Sequence, residues 1–151
     1  MLIEEVLLVD APLEIVWKTF VDLARWADWN SVLKDARFDG GGIEKGCTFR
    51  CYVKPYAFPI YFEPKIEEVL PLEKIVWTVE KFGIRSRHEF LLSRKDRSTE
   101  VRSREVFSGI PVRLAGLLFP LERLRELNSD FLRDLKNAAE QGAESAGVYG
   151  T

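Results

Sequence analysis

Residues 84–108 have the sequence IRSRHEFLLSRKDRSTEVRSREVFS. In the first half, charged residues occupy the odd positions 85–89 and mostly apolar residues the even ones; in the second half, charged residues occupy the even positions 100–104. Such alternation has the period of a β-strand with one buried face. The polar pair Asp96-Arg97 separates the halves and predicts a two-residue turn. We therefore predict an antiparallel hairpin made of strands Ile84 to Lys95 and Ser98 to Ser108.

The register of this hairpin predicts a polar pair on its buried face. The even positions of the first strand are mostly apolar and are expected inside, as are the odd positions of the second strand, from Val101 to Phe107. A two-residue turn places His88 directly opposite Glu105, and a four-residue turn makes them diagonal neighbours. A buried carboxylate needs compensation, so we expect an imidazolium at His88 with a raised pKa.

Further strands and two short helices are predicted before the hairpin. Leu2 to Val9 is apolar enough for a buried strand. A helix follows, capped at Asp10 or Ala11 with Pro12 in its first turn, and a second short helix ends near Trp26. Four more strands are then predicted, with a glycine connection at 40–42: Val32 to Asp39, Cys47 to Lys54, Ile60 to Val69 and Lys74 to Phe82.

The C-terminal part predicts one long helix. Pro111 to Phe119 is apolar and is predicted to be partly helical, with Pro120 ending it. From Leu121 apolar residues recur at steps of three and four over about 20 residues, enough for a helix of about 30 Å. No pattern continues after residue 141, so residues 142–151 are predicted to be a disordered tail and residues 1–141 a single domain.

Composition excludes several classes of function. The 151 residues carry a net charge of −2 with no basic stripe, so no nucleic-acid partner is expected. No apolar run approaches the roughly 18 residues of a membrane span, and the acidic N-terminus does not resemble a signal peptide. We therefore expect a cytoplasmic protein without stable membrane insertion. For the oligomeric state we expect a monomer or a homodimer. Cys47 and Cys51 on one strand would lie about 13 Å apart, too far for a disulfide.

Sequence motifs also argue against metal and cofactor chemistry. His88 is the single histidine, and the two cysteines lack a zinc-binding spacing. The glycines at 40–42 match neither nucleotide-binding pattern, and no Gly-x-Ser-x-Gly elbow is present. We therefore expect no metal and no cofactor.

The order of strand, two short helices, several strands and a long helix resembles the START-like (SRPBCC) superfamily, which includes Bet v 1-like allergens. Within it the chain is most similar to the polyketide cyclase/dehydrase group, through residues 10–17 (DAPLEIVW), Asp22 to Asn30, residues 67–71 (EEVLP) and residues 131–136 (FLRDLK). The resemblance covers roughly residues 1–141. It implies an α+β helix-grip fold, a curved antiparallel sheet of about seven strands wrapped around the long helix, with a cavity for apolar molecules. It supplies no catalytic residues, because none is shared across the superfamily.

The predicted ligand-binding residues share an inward-facing position near the hairpin and the long helix: His88, Glu105, Asn128, Trp77, Phe90, Ser103, Phe49 and Phe131. For His88 and Glu105 three interpretations stay open: a satisfied buried pair, an anchor for a ligand, or an acid/base pair in catalysis. For Asn128 two stay open, an amide directed into the cavity or a flanking residue beside a buried Leu127.

Three functions are compatible with these observations. The first is binding of an apolar or amphipathic small molecule, such as a lipid or polyketide. The second is a cyclase or dehydratase that uses His88 and Glu105 as acid and base. The third is a protein-interaction module, which would gain support from a filled cavity and an exposed apolar patch. The sequence leaves open whether the protein is an enzyme.

Overall fold

A computed structural model describes residues 1–38, 40, 42–109 and 121–147. Within these ranges the chain forms eight strands and three α-helices, with a turn of 3₁₀ helix at Leu23–Arg25: β1 Leu2–Val9, α1 Leu13–Val21, α2 Trp26–Trp29, β2 Lys34–Phe38, β3 Phe49–Val53, β4 Ile60–Phe62, β5 Lys65–Leu70, β6 Lys74–Lys81, β7 Ile84–Lys95, β8 Ser98–Ser108 and α3 Leu121–Ser145. The end of the second predicted strand at Asp39, the middle glycine of the predicted connection, the predicted helix at Pro111 to Phe119 and the last four residues lie outside the described residues.

The hairpin of β7 and β8 has the predicted bounds and register. Lys95 pairs with Ser98 across the turn, and His88 pairs with Glu105. Asp96 adopts a positive φ of 56°, a left-handed conformation that aspartate tolerates in tight turns. The two-residue turn therefore sets the side chains of His88 and Glu105 on the same face of the sheet.

The strands form two antiparallel sheets. The larger has the order β1-β8-β7-β6-β5 and the smaller the order β2-β3-β4. The prediction of one strand from Ile60 to Val69 is wrong, because β4 pairs with β3 whereas β5 pairs with β6. The break lies at Pro64, which has no N–H to give to a strand neighbour, although its carbonyl accepts a hydrogen bond from the Phe49 N–H at 3.1 Å. The described strands therefore number eight rather than about seven.

Two of the predicted helix boundaries differ slightly from the structure. Pro12 is the N-cap residue of α1 instead of lying inside its first turn, and no side chain caps the helix. The second helical segment continues to Trp29, beyond the predicted end near Trp26. Helix α1 buries Leu13, Val16 and Phe20.

Helix α3 is longer than predicted. It spans 25 residues, about 37 Å, and packs against α1 and β1. It extends four residues into the segment predicted as a disordered tail, and Ala143 in that segment is fully buried. The predicted helix-grip arrangement, with antiparallel sheets and a long C-terminal helix, is confirmed.

An aromatic cluster fills the space between α3, the short helices and the sheet. Phe20 lies at its centre, with ring centroids 4.9 Å from Phe90 and 6.0 Å from both Trp77 and Phe131. Trp26 closes the cluster and donates its indole N–H to the carbonyl oxygen of Phe20 at 2.8 Å. These large buried side chains fill one end of the interior.

Two smaller observations complete the fold. Cys47 and Cys51 are both free thiols. None of the helices in the described ranges combines the length and the apolar character needed to cross a membrane.

Candidate functional site

A cavity of about 190 Å³ lies between the larger sheet, the smaller sheet and helix α3. Apolar side chains form most of its wall, and the polar groups come mainly from β7, β8 and α3. The described residues that line it are Met1, Val32, Leu33, Val53, Ile60, Phe62, Trp77, Val79, Lys81, Phe82, Ile84, Ser86, His88, Phe90, Glu105, Phe107, Leu124, Leu127, Asn128 and Phe131.

The predicted pair of His88 and Glu105 faces this cavity. The Nδ1 atom of His88 lies 3.4 Å from Oε2 of Glu105, and the two side chains are only 12% and 20% exposed. The hydroxyl of Ser86 donates a hydrogen bond to the other carboxylate oxygen of Glu105 at 2.7 Å. Ser86 was not among the predicted site residues, although its even position in β7 already placed it on the inward face.

A chain of hydrogen bonds continues from the opposite edge of the imidazole. Nε2 of His88 is 2.7 Å from the hydroxyl oxygen of Ser103, and that hydroxyl donates to Oδ1 of Asn128 at 2.9 Å. The amide nitrogen of Asn128 donates to the Glu5 carboxylate at 3.4 Å, and the hydroxyl of Ser129 donates to the same oxygen at 2.7 Å. The chain links the cavity to a half-buried carboxylate on β1. Glu5 was not predicted as a site residue, because a carboxylate within an apolar strand gives no distinguishing pattern.

The environment of His88 lowers its pKa. Burial of the ring is the largest cause, and the nearby charge of Glu105 opposes it with a smaller effect. The ring stacks on Phe90 with centroids 4.1 Å apart and meets the edge of Trp77 at 5.7 Å, so apolar surfaces replace much of its water. The expectation of a raised pKa is therefore wrong in direction, and the neutral imidazole is favoured near pH 7.

The structure brings most of the predicted site residues to the cavity. Trp77, Phe90 and Phe131 line its wall together with His88, Glu105 and Asn128. Ser103 lies behind the wall, fully buried within the hydrogen-bonded chain. Phe49 does not line the cavity, because its ring is packed between Trp26 and Trp77, with centroids 5.8 and 5.4 Å away.

No cluster of three or more histidine, cysteine or carboxylate side chains suited to a metal ion occurs among the described residues. The polar groups of the described lining residues include the His88 imidazole, the Glu105 carboxylate, the Ser86 hydroxyl, the Asn128 amide, the Lys81 ammonium and the N-terminal ammonium of Met1. This set can position a polar group or move a proton.

Most of the sequence matches a known protein family. The model described as "Activator of Hsp90 ATPase homolog 1-like protein" matches residues 10–117, more than two thirds of the chain. The chain belongs to this AHSA1 family. The family is part of the START-like (SRPBCC) superfamily, so the resemblance found in the sequence is confirmed at that level. No curated protein sequence matches this AHSA1 family member.

Solved structures with low sequence identity share the fold. TTHA0849 from Thermus thermophilus is 14% identical with a TM-score of 0.78, covering 95% of this chain and 99% of that one. The di-domain ARO/CYC StfQ from the steffimycin biosynthetic pathway is 14% identical with a TM-score of 0.77, covering 95% of this chain and 52% of that one. DynU16, described as a putative protein in the dynemicin biosynthetic locus, is 18% identical with a TM-score of 0.70; this chain is covered to 93% and spans about half (48%) of that chain.

Proposed function

We propose that this AHSA1 family member binds an apolar or amphipathic small molecule in its internal cavity. The observation that supports this proposal is an apolar cavity of about 190 Å³ with one buried polar pair in its wall. Ligand sites of soluble proteins commonly combine an apolar wall with a few polar groups that fix orientation. An apolar cavity of about 150 Å³ is already large enough to hold benzene.

The cavity has two chemically different regions. His88 and Glu105 lie in the middle of the hairpin, next to the aromatic side chains of Phe90 and Trp77. Lys81 lines the cavity near the turn between β6 and β7, where its ammonium group donates to the carbonyl oxygen of Tyr61. A ligand whose polar group contacts one of these two regions and whose apolar body contacts the apolar wall fits this cavity.

Native mass spectrometry of freshly purified protein tests the proposal. A spectrum of the denatured protein and an organic extract of the same sample are recorded in parallel. We expect a reproducible additional mass that is lost on denaturation and recovered in the extract. A mass equal to that of the polypeptide, together with no binding of added aromatic probes, would contradict the proposal.

A pair of matched variants links the bound mass to the cavity. Val79→Phe adds a ring at a lining position, and Val106→Phe makes the same change on β8, where the side chain is exposed. We expect Val79→Phe to abolish or strongly reduce the additional mass, because the added ring fills the space that the ligand needs. Val106→Phe should retain it. Equal retention in both variants would mean that the molecule binds elsewhere.

A second candidate function is catalysis of a cyclisation or dehydration. The description of StfQ as ARO/CYC and the buried pair of His88 and Glu105 support it. With its pKa lowered, the His88 imidazole is neutral near pH 7 and can accept a proton from a bound substrate. In this case His88→Ala abolishes turnover of a polyketide-like substrate, although the folded variant still binds that substrate. Unchanged turnover in that variant would exclude His88 as the base.

A third candidate, a protein-interaction module, has weaker support. Exposed apolar side chains are present on the outer face of β1 and β8, at Leu2, Val6, Leu8 and Val106. A protein-interaction module was also expected to have a filled cavity, and a cavity of about 190 Å³ among the described residues argues against this function.

A further inference from the structure

The hydrogen atoms at the polar pair can be assigned one by one, starting from Asn128. Its amide nitrogen faces the Glu5 carboxylate, which accepts and does not donate when ionised. Its Oδ1 atom therefore faces Ser103, and an amide oxygen can only accept. The single hydroxyl hydrogen of Ser103 is consequently donated to Asn128.

This assignment fixes the tautomer of His88. Because the hydroxyl hydrogen of Ser103 is already donated to Asn128, the 2.7 Å contact between Ser103 and Nε2 of His88 requires the ring nitrogen to donate. Nε2 therefore carries a hydrogen and Nδ1 is the atom left to face Glu105. The Ser86 hydroxyl, a further donor near the carboxylate among the described residues, already donates to Oε1 of Glu105.

Any hydrogen held between Nδ1 of His88 and Oε2 of Glu105 is used within the pair. When His88 is protonated at both nitrogens, its Nδ1–H points to the Glu105 carboxylate. When Glu105 is protonated instead, its hydroxyl points to Nδ1. When the pair holds no such hydrogen, Nδ1 and Oε2 are two acceptors that face each other at 3.4 Å. In none of these states does the pair offer a donor to the cavity. The amide group of Asn128 is connected to the ring through Ser103 at Nε2, the nitrogen opposite the one that faces Glu105.

The two positive charges on the described cavity wall bind backbone carbonyl oxygens and lie away from His88. Lys81 lies seven residues before His88, beyond the turn, and its ammonium group donates to the carbonyl oxygen of Tyr61. The N-terminal ammonium of Met1 donates to the carbonyl oxygen of Phe107 at 3.3 Å, on the β1 side of β8, whereas His88 lies on the β7 side. A ligand carboxylate beside the pair would therefore face the Glu105 carboxylate, and no cation among the described lining residues lies on the His88 side to compensate it.

We infer that the cavity selects ligands whose polar group donates a hydrogen bond, such as a phenolic or alcoholic hydroxyl, and disfavours those whose polar group is a carboxylate. The donated hydrogen bridges Nδ1 of His88 and Oε2 of Glu105, the two acceptors that the protein leaves for it. This inference rests on the proposed binding function and names the chemistry of its ligand.

Three probes that share one ring system test the inference: naphthol, methoxynaphthalene and naphthoate, substituted at the same ring position. Affinities of the full-length protein are measured by isothermal titration calorimetry. We expect naphthol to bind about 10- to 100-fold more tightly than its methyl ether, which leaves both acceptors unpaired. Naphthoate should be weaker than naphthol as well, because its charge repels that of Glu105.

Two matched variants test whether the selectivity arises from His88 and Glu105. Glu105→Gln removes the charge and introduces an N–H donor of nearly the same shape, so the preference for naphthol over its ether should shrink to within about threefold. Glu100→Gln makes the identical change on the same strand at an outward position, where the carboxylate contacts Arg102 at 3.8 Å. That variant should keep the wild-type preference.

The possible outcomes separate the inference from the function on which it rests. Equal affinities of the wild-type protein for naphthol and its ether, or tighter binding of naphthoate, would overturn the inference and leave a cavity that binds apolar molecules. Binding of none of the three probes would overturn both. Because the wild-type series is decisive alone, a Glu105→Gln variant that fails to fold does not affect the test.

Discussion

The free energy of unfolding is expected to depend on pH through one side chain. His88 is the only histidine of the sequence, so a change between about pH 6.5 and pH 5 reports this imidazole. Burial lowers the pKa of His88 in the folded protein, and the opposing effect of Glu105 is smaller. The unfolded chain therefore binds a proton near pH 6.5 that the folded chain accepts only at lower pH. Stability is complete above about pH 6.5 and falls as the pH decreases below it.

The size of this effect is bounded because a single proton is involved. The slope cannot exceed about 1.4 kcal/mol per pH unit, and the loss between about pH 6.5 and pH 5 cannot exceed about 2 kcal/mol. Ordinary carboxyl groups titrate near pH 4, below this window. The measured loss, as a fraction of this limit of about 2 kcal/mol, shows how far the effect of burial on the pKa of His88 exceeds the opposing effect of Glu105 at 3.4 Å.

Urea unfolding at half-unit steps from about pH 7.5 to about pH 5 measures this dependence. The control is His88→Gln, whose amide N–H can replace the donor to Ser103 but does not titrate. We expect its stability to be flat across the window in which the wild-type protein loses stability. A wild-type protein that becomes more stable as the pH falls would refute the reasoning, because the Glu105 charge would then outweigh burial. The same slope in the variant would also refute it.

Two further predictions concern stability near pH 7, and urea midpoints at constant slope measure both. Ser103→Ala leaves a buried ring N–H and a buried amide oxygen without their partner and should cost about 1 to 3 kcal/mol, whereas Ser98→Ala removes an exposed contact and should cost less than about 0.5 kcal/mol. Phe131→Ala opens a void in the aromatic cluster and should cost about 3 to 5 kcal/mol, compared with less than about 1 kcal/mol for Phe82→Ala, which is 65% exposed. Equal losses within either pair would contradict the described packing.

The parts of the fold that the sequence predicted are those governed by local periodicity. The hairpin of β7 and β8 follows from alternation of side chains and from the turn at Asp96, both of which act within a few residues. The pairing of His88 with Glu105 then follows by counting, and so does the inward direction of Ser86, which was overlooked. Asn128 could be assigned to the core stripe of α3, but its contact with Glu5 depends on how the helix docks.

The predictions that failed depend on contacts between distant parts of the chain. Ile60 to Val69 has the composition of one strand, and only the pairing of its halves with different sheets shows the break at Pro64. Phe49 faces inward as expected, but Trp26 from another element covers it. The pKa of His88 was predicted from its charged neighbour alone, because burial of the ring also depends on Trp77 of the adjacent strand β6, which the pattern of β7 does not show.

The pairing of the first strand with the last has a consequence for the order in which the protein forms. Leu2 lies opposite Val106 and Val9 opposite Thr99, so every contact of β1 within the sheet spans 90 residues or more. Such long-range pairing closes large loops and slows folding relative to helical proteins of similar size. During synthesis, β1 leaves the ribosome well before its partner exists, and Asn128 follows later still. The hydrogen-bonded chain from Glu5 to His88 can therefore form only after Asn128 has been synthesised, and until then a nascent chain lacks this part of the cavity wall.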